Sequence, residues 1–176
     1  MSLKGFKVPS LTVKDIRDIA NGLRKTLRGQ NFKDIGQFLE VLIFKEVLEV
    51  VPDRSEELPD KVEAAYDPIS KRILLKESDY RSLIERTNPR SKFTFWHEFG
   101  HFFLNHRRVI GRSTTTNHSY LEDSEWQANT FAAEITMPLD VIKKENLWTT
   151  EQIATRFRVS TSAARIRLKA LKDEGL

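Results

Sequence analysis

His97-Glu98-Phe99-Gly100-His101 places two histidines four residues apart. On an α-helix this spacing brings both side chains onto one face, about 40° apart around the axis, where they can bind one metal ion. Glu98 lies between them and can act as a base. A zinc ion with three protein ligands keeps a position open for water and lowers the pKa of that water to about 7. The stretch therefore predicts a metal-dependent hydrolytic site on a helix.

The residues on both sides of this stretch predict that the helix is buried. They leave almost no polar face, and most are aromatic: Phe93, Phe95, Trp96, Phe99, Phe102, Phe103 and Leu104. Burying two imidazoles and a carboxylate in such a helix is costly unless they are paired or bound to metal. Asn88-Pro89 predicts the start of the helix, and the polar run 105–108 predicts its end.

A second helix is predicted from Ser124 to Pro138, with Ser124 or Asp123 as its cap and the proline as its end. Glu125 shares one face of this helix with small residues, which would let the histidine helix come close. Glu125 is therefore the predicted third metal ligand, although an exposed acid at the start of a helix is an alternative interpretation. Glu134 lies roughly half a rotation away from Glu125 and is expected to point elsewhere.

Asn129 lies one turn after Glu125 on the same face. We expect it either to hydrogen-bond a ligating imidazole from behind and fix its tautomer, or to be ordinary helix surface. The polar segment from Arg107 to Tyr120 predicts a surface loop near the cleft. Within it, His118 and Tyr120 are candidates to donate to the oxyanion of a tetrahedral intermediate, with ordinary loop structure as the alternative. His106 is nine residues from His97, so on a continuous helix it faces away and is not counted as a ligand.

The rest of the chain predicts an α+β fold that is mostly helical. An apolar stripe predicts a helix over 12–28, and a second helix is predicted to begin at Asp34. The segment 47–51 predicts a strand. A hairpin is predicted over 62–75, turning at 67–70, and a short helix is predicted over 79–85. The expected architecture is a small antiparallel sheet beside the helices, followed by a C-terminal helical hairpin.

Composition limits the class of protein. A chain of 176 residues is long enough for one sizeable core with a small appendage. The absence of cysteine excludes disulfides, thiol nucleophiles and cysteine-based zinc sites. No apolar run has the length of a signal peptide or a membrane span, so we expect a cytoplasmic protein with no membrane contact. The formal net charge of +4 permits a nucleic-acid-binding surface without requiring one.

Three blocks of the sequence together resemble the ImmA/IrrE metallopeptidases. They are residues 93–106, residues 125–138 and residues 153–171, in the same order as in that family. The resemblance implies a zincin-like core of the gluzincin type, in which His97, His101 and Glu125 hold zinc and Glu98 is the general base. Family members are bacterial and phage proteins, and several cleave a transcriptional repressor of the Xre helix-turn-helix class. A repressor encoded nearby, as a separate chain, is therefore the expected substrate.

The C-terminal block has two interpretations. It could be a helix-turn-helix whose second helix presents a basic face to nucleic acid or a partner: Arg165, Arg167, Lys169 and Lys172. Alternatively, its apolar residues dock the hairpin on the core and leave the basic face solvated, which we favour. Arg158 stands where the family often has glycine, and a left-handed conformation there would cost about 1 kcal/mol or more. The predicted division is a metallopeptidase domain over 1–147 and an appendage over 148–176.

The sequence thus predicts a zinc metallopeptidase, an endopeptidase acting on a regulatory protein. Imidazole and carboxylate ligands also accept manganese, iron or cobalt, so Zn²⁺ is the expected metal and these three are alternatives. Two other functions remain open. One is a non-catalytic metal-binding regulator that contacts DNA or a repressor through its basic C-terminal helix. The other is a partner in a toxin module, where binding matters more than cleavage.

Overall fold

The computed structural model describes residues 5–29, 34–107 and 118–176. This part of the chain forms three strands, a short 3-10 turn at Tyr120–Glu122 and eight α-helices, which confirms the α+β class. The helices are α1 (Val13–Gly29), α2 (Ile35–Phe44), α3 (Glu77–Glu85), α4 (Pro89–Phe103), α5 (Ser124–Thr136), α6 (Leu139–Lys144), α7 (Thr150–Phe157) and α8 (Thr161–Asp173). The strands are β1 (Leu48–Val51), β2 (Ala64–Asp67) and β3 (Arg72–Lys76).

The sheet is mixed, with strand order β1-β3-β2. Strands β2 and β3 form the predicted antiparallel hairpin, and the Asp67 carboxylate closes its turn by accepting from the backbone N–H groups of Ile69 and Ser70. Strand β1 instead pairs in parallel with β3. The expectation of a wholly antiparallel sheet is wrong at this strand, because residues 52–63 carry the chain to the far edge before β3 returns to the middle.

The main core lies between the sheet and helices α1, α2, α4 and α5. Its centre contains side chains with no exposed surface, among them Leu39, Ile73, Phe95 and Phe131. On α4 the aromatic residues pack on Phe38 of α2, whose ring stacks on Trp96 with centroids 5.7 Å apart. These contacts hold the histidine-bearing helix rigidly, as its aromatic sequence predicted.

A second apolar cluster joins α6, α7 and α8 to Met137 at the end of α5. Thr149 and Ser160 cap the two hairpin helices. Arg158 adopts the left-handed conformation in the turn between them, with φ 51°. Among the described residues, we find no helix with the length and apolar character that crossing a membrane requires. The division at residue 147 stays a prediction.

A buried ion-pair cluster ties the hairpin to the core. Arg167 donates to both carboxylate oxygens of Glu134, at 2.9 and 2.7 Å, and to the carbonyl of Met137. Arg17 of α1 reaches the same carboxylate at 2.9 Å and also pairs with Glu174. The predicted contact of Arg167 with nucleic acid or a partner is disfavoured by this arrangement, because its side chain is only 3% exposed and each of its three nitrogens donates within the cluster.

The remaining residues of the predicted basic face lie at the surface of α8. Arg165 and Lys172 are exposed. Lys169 is exposed and pairs with Asp173 one turn later, at 2.7 Å. With Arg167 buried, the face has fewer free cations than its sequence indicated. The docked arrangement of the hairpin matches the interpretation that we favoured.

Candidate active site

Helix α4 positions both histidines. Asn88 caps it by accepting from the N–H of Arg90, and Pro89 occupies its first turn, as predicted. The side chains of His97 and His101 lie on one face, with their Nε2 atoms 3.2 Å apart. The opposite faces are filled by the aromatic core.

Helix α5 brings Glu125 to the same point. One of its carboxylate oxygens lies 3.2 Å from Nε2 of His97 and the other lies 3.3 Å from Nε2 of His101. In the described part of the chain, these three residues form the one group of three ligand side chains that could hold a metal ion. The prediction of Glu125 as the third member of this group is thus matched by the geometry.

Small residues allow the two helices to approach so closely. A Cβ atom built on Gly100 would lie 3.1 Å from Cδ1 of Phe131 and 3.4 Å from both the Cα and the carbonyl oxygen of Ala128. Any larger side chain at Gly100 would press against α5. Glycine at this position therefore favours the close helix contact that brings the three ligands together.

The spacing of these side chains suits a shared metal ion. The two Nε2 atoms are 3.2 Å apart and each lies 3.2–3.3 Å from one of the two oxygens of Glu125, while two ligands of a tetrahedral zinc ion, at about 2.0–2.1 Å each, are about 3.3 Å apart. Hydrogen bonding to His101 and then to His97 holds the pKa of Glu125 well below its usual range, so the carboxylate is ionised, as a metal ligand must be. Two imidazoles and one carboxylate are a donor set typical of a catalytic zinc site.

Glu98 lies beside these ligands with its carboxylate held by the sheet. Its Oε2 accepts from the backbone N–H of Tyr66 in β2 at 2.7 Å, and its Oε1 lies 3.9 Å from Nε2 of His97. Burial raises the pKa of Glu98, opposed by the nearby imidazoles. A carboxylate whose proton affinity is raised and whose orientation is fixed is suited to take up and release a proton.

His106 supports His101 from behind, and the sequence interpretation missed it. The spacing argument against His106 assumes a continuous helix, whereas α4 ends at Phe103, Leu104 is its C-cap and Asn105 turns the chain with φ 55°. The N–H of His106 then donates to the carbonyl of His101, and that of Asn105 donates to the carbonyl of Phe102. These two bonds form a Schellman motif, in which the last residue normally contacts the residue five positions earlier. Here these two residues are His106 and His101. Asparagine after an apolar helix was the signal available in the sequence.

Gln127 completes a chain of hydrogen bonds that fixes the tautomer of His101. Its amide nitrogen donates to the carbonyls of Pro9 and Leu121, so its oxygen must accept from Nε2 of His106, 3.0 Å away. Burial lowers the pKa of His106 to about 4, so this imidazole is neutral and its Nδ1 is an acceptor. Nδ1 of His101, 2.9 Å from it, must therefore carry a proton. In the neutral imidazole that binds a metal ion, Nε2 of His101 then supplies the lone pair at the candidate metal position.

Asn129 lies next to His97, on the other side of the site. Its amide nitrogen donates to the backbone carbonyl of Glu125 at 2.8 Å. Although burial favours the neutral imidazole, the pKa of His97 is raised overall by Glu125, Glu98 and, to a smaller extent, Asn129. Nδ1 of His97 is buried without a hydrogen-bond partner. A small shift of Asn129 would supply one, and its predicted supporting role stays a prediction.

The two candidates for oxyanion stabilisation lie in the segment just before α5. Nε2 of His118 lies 3.2 Å from a carboxylate oxygen of Asp123, and both side chains are almost fully buried. The ring of Tyr120 is half-exposed and packs edge-on against Trp126. Residues 108–117 of the predicted loop lie outside the described residues. A role for His118 or Tyr120 towards an oxyanion stays a prediction.

Comparison with known families identifies the chain. A family model described as the IrrE N-terminal-like domain matches residues 62–169, which include both histidines, Glu98 and Glu125. A search of curated proteins finds no match to the chain. The family match extends over more than half of the sequence, from just before β2 into α8. With the ligand geometry described above, it shows that the chain belongs to the ImmA/IrrE-type family of metallopeptidases.

Proposed function

We propose that this protein is a zinc-dependent endopeptidase that cleaves a partner regulatory protein. The observation that carries the proposal is the convergence of two imidazoles and one carboxylate beside a second, partly buried carboxylate that is not part of the ligand group. His97, His101 and Glu125 would hold the metal. Glu98 would handle the proton.

A bound zinc ion would polarise the scissile carbonyl and lower the pKa of a water molecule at its open position. Glu98 would take the proton of the attacking water at Oε1, the oxygen nearer to His97. It would then pass this proton to the nitrogen of the leaving amine. The N–H of Tyr66 holds the other oxygen throughout, so the carboxylate keeps one orientation for both transfers.

The sheet offers a way to align a peptide substrate. Strand β2 pairs only with β3 in the described sheet and therefore has an unpaired edge. Its Tyr66 is bonded to Glu98, so this edge lies beside the proton-transferring group. An extended peptide that adds to a sheet edge is held by main-chain hydrogen bonds along its length, without need of a free terminus. This arrangement favours an endopeptidase.

For the substrate, we propose a transcriptional repressor of the Xre helix-turn-helix class, which the protein would meet in the cytoplasm. The family resemblance supports this choice. The alternative of a regulator that binds DNA through α8 is weakened by the burial of Arg167 and the ion pair of Lys169. DNA binding by the remaining basic residues would be recognised by a steep loss of affinity as salt is raised.

A glutamate-to-glutamine pair of variants tests the proposal. The purified protein and its Glu98→Gln variant are analysed for bound metal and incubated with the repressor encoded nearby, with Glu151→Gln on the exposed face of α7 as the control. We expect Glu98→Gln to retain zinc and to lose cleavage by about 10²–10⁴-fold, because only the proton transfer is removed. The control should cleave normally. Cleavage by Glu98→Gln at the normal rate, or cleavage unaffected by complete metal removal, would contradict the mechanism.

A further inference from the structure

A cavity of about 350 Å³ lies at the N-terminal end of α4, away from the ligand group. Its walls come from the end of α3, the first turn of α4 and the turn between α7 and α8. Four cationic side chains line it, together with the apolar Ile35, Leu83 and Phe157: Arg156, which is paired with Glu145, and three cations without an ion-pair partner among the described residues, Arg86, Lys92 and Arg158. We call it the cationic pocket. Its volume is within the range of small-ligand sites.

Three of the cations that line the cationic pocket, Arg86, Lys92 and Arg158, have no counter-charge in the described part of the chain. Lys92 donates to the carbonyl of Phe157 at 3.2 Å, and neither it nor Arg86 nor Arg158 forms an ion pair with a described carboxylate. By contrast, Arg156 at the rim is paired with Glu145. Burial lowers the pKa of Lys92, and the charges of Arg86 and Arg158 lower it further. Three like charges thus surround one cavity, where a bound anion would neutralise them.

Two further features of the cationic pocket suit an anion. No acidic residue lines it. The first turn of α4, a helix of 15 residues, adds the positive end of the helix dipole at Asn88 and Pro89. Guanidinium groups match the oxygens of a phosphate with paired hydrogen bonds, and the apolar lining residues can contact an attached organic group.

We propose that the cationic pocket binds the phosphate group of a phosphorylated organic molecule, with the organic part lying on Phe157 and Leu83. The same phosphate chemistry occurs in a small metabolite and in a nucleic-acid backbone, and we favour the small molecule because the pocket is concave and partly apolar. The inference does not depend on the peptidase activity. The proposed phosphate site at this end of α4 is separate from the candidate metal site.

The structure supplies a test variant that should fold well. Arg86 and Arg158 both have left-handed backbone conformations, with φ 60° and 51°, which glycine adopts without strain. The double variant Arg86→Gly/Arg158→Gly therefore removes two of the three charges while relieving two strained positions. Lys92→Met is a second variant that keeps the length of the side chain. Arg165→Gln, an exposed arginine of α8 outside the pocket, is the charge-matched control.

The full-length protein is titrated by calorimetry with adenosine monophosphate, with inorganic phosphate and with a short DNA duplex. We expect the mononucleotide to bind more tightly than inorganic phosphate. Both pocket variants should weaken it by about tenfold or more, because charge-assisted hydrogen bonds are lost, while Arg165→Gln should leave it unchanged. Binding of the duplex alone, lost in both pocket variants, would also support a phosphate site and would assign it to a nucleic-acid backbone. Absence of binding by all three probes, or equal weakening by Arg165→Gln, would overturn the proposal.

Discussion

Replacing His106 with phenylalanine tests whether the buried hydrogen-bond chain behind His101 controls metal binding. The ring volume is nearly kept, but two buried groups lose their partner: the Nδ1–H of His101 and the side-chain oxygen of Gln127. Gln127 cannot turn away, because its amide nitrogen is held by two backbone carbonyls. An unsatisfied buried polar group costs about 1–3 kcal/mol, so the free energy of unfolding should fall by about 2–4 kcal/mol. Loss of such a supporting residue should also weaken metal binding by about 10–100-fold.

Three measurements on the His106→Phe variant separate these effects. Urea unfolding of the metal-free protein gives the loss of stability, and competition with a chromophoric chelator gives the zinc affinity. Long-range ¹H–¹⁵N spectra of the imidazoles report which ring nitrogen of His101 carries the proton. In the natural protein we expect the proton on Nδ1. In the variant we expect a mixture of the two tautomers.

His118→Phe is the matched control, because His118 is also a buried imidazole bonded to a polar side chain but lies before α5, where it contacts Asp123 rather than a metal-ligand candidate. It should reduce stability and leave zinc affinity unchanged. If His106→Phe binds zinc as tightly as the natural protein and keeps the His101 proton on Nδ1, the proposed control of the tautomer is refuted. Equal losses of zinc affinity in both variants would refute it as well, since they would indicate a general loosening of the fold.

Three further predictions concern packing and charge. Arg167→Met should lower the free energy of unfolding, measured by urea titration, by about 3–5 kcal/mol, because it breaks a buried ion pair. Lys169→Met removes an exposed ion pair and should lower the same free energy by less than about 1 kcal/mol. Gly100→Val should lower the free energy of unfolding by about 1–3 kcal/mol and weaken zinc binding, because the larger side chain pushes α4 away from α5. Gly22→Val is the control, since no atom lies near a Cβ at that position, and it should change neither quantity. Equal effects of the two variants would contradict the prediction. Burial lowers the pKa of Lys92 in the folded protein below the ordinary lysine value of 10.5. Between these two pKa values the unfolded chain binds more protons than the folded protein, so the free energy of unfolding should rise with pH in that range. Thermal unfolding of Lys92→Met at several pH values should show a smaller rise, and an identical pH profile would disprove the assignment.

The ligand group could be predicted from the sequence because its geometry is local. Two histidines four apart on a helix must share a face, and the cap and small residues around Glu125 define a second helix that can approach it. The starts of helices are local in the same way. Asn88, Thr149 and Ser160 each cap a helix by accepting from a backbone N–H two or three residues later in the sequence.

The features that the sequence did not give depend on contacts between distant segments. The parallel pairing of β1 with β3 is decided by the path of the intervening chain, and the ion pair of Arg167 by the docking of α8 on α5. Periodicity shows neither. His106 is a different case, because assuming a continuous helix hid a turn that Asn105 had made predictable.

The carboxylate of Glu134 receives arginines from both the first and the last helix, Arg17 and Arg167. It lies on α5, the helix that also carries Glu125. Proteolytic removal of α8 would leave this acid buried with half of its positive neighbours, a state that a protein interior tolerates poorly. Clipping or displacing the C-terminal hairpin should therefore disturb the ligand-bearing helix itself. A partner that pulled on this hairpin could in this way change how firmly the metal is held.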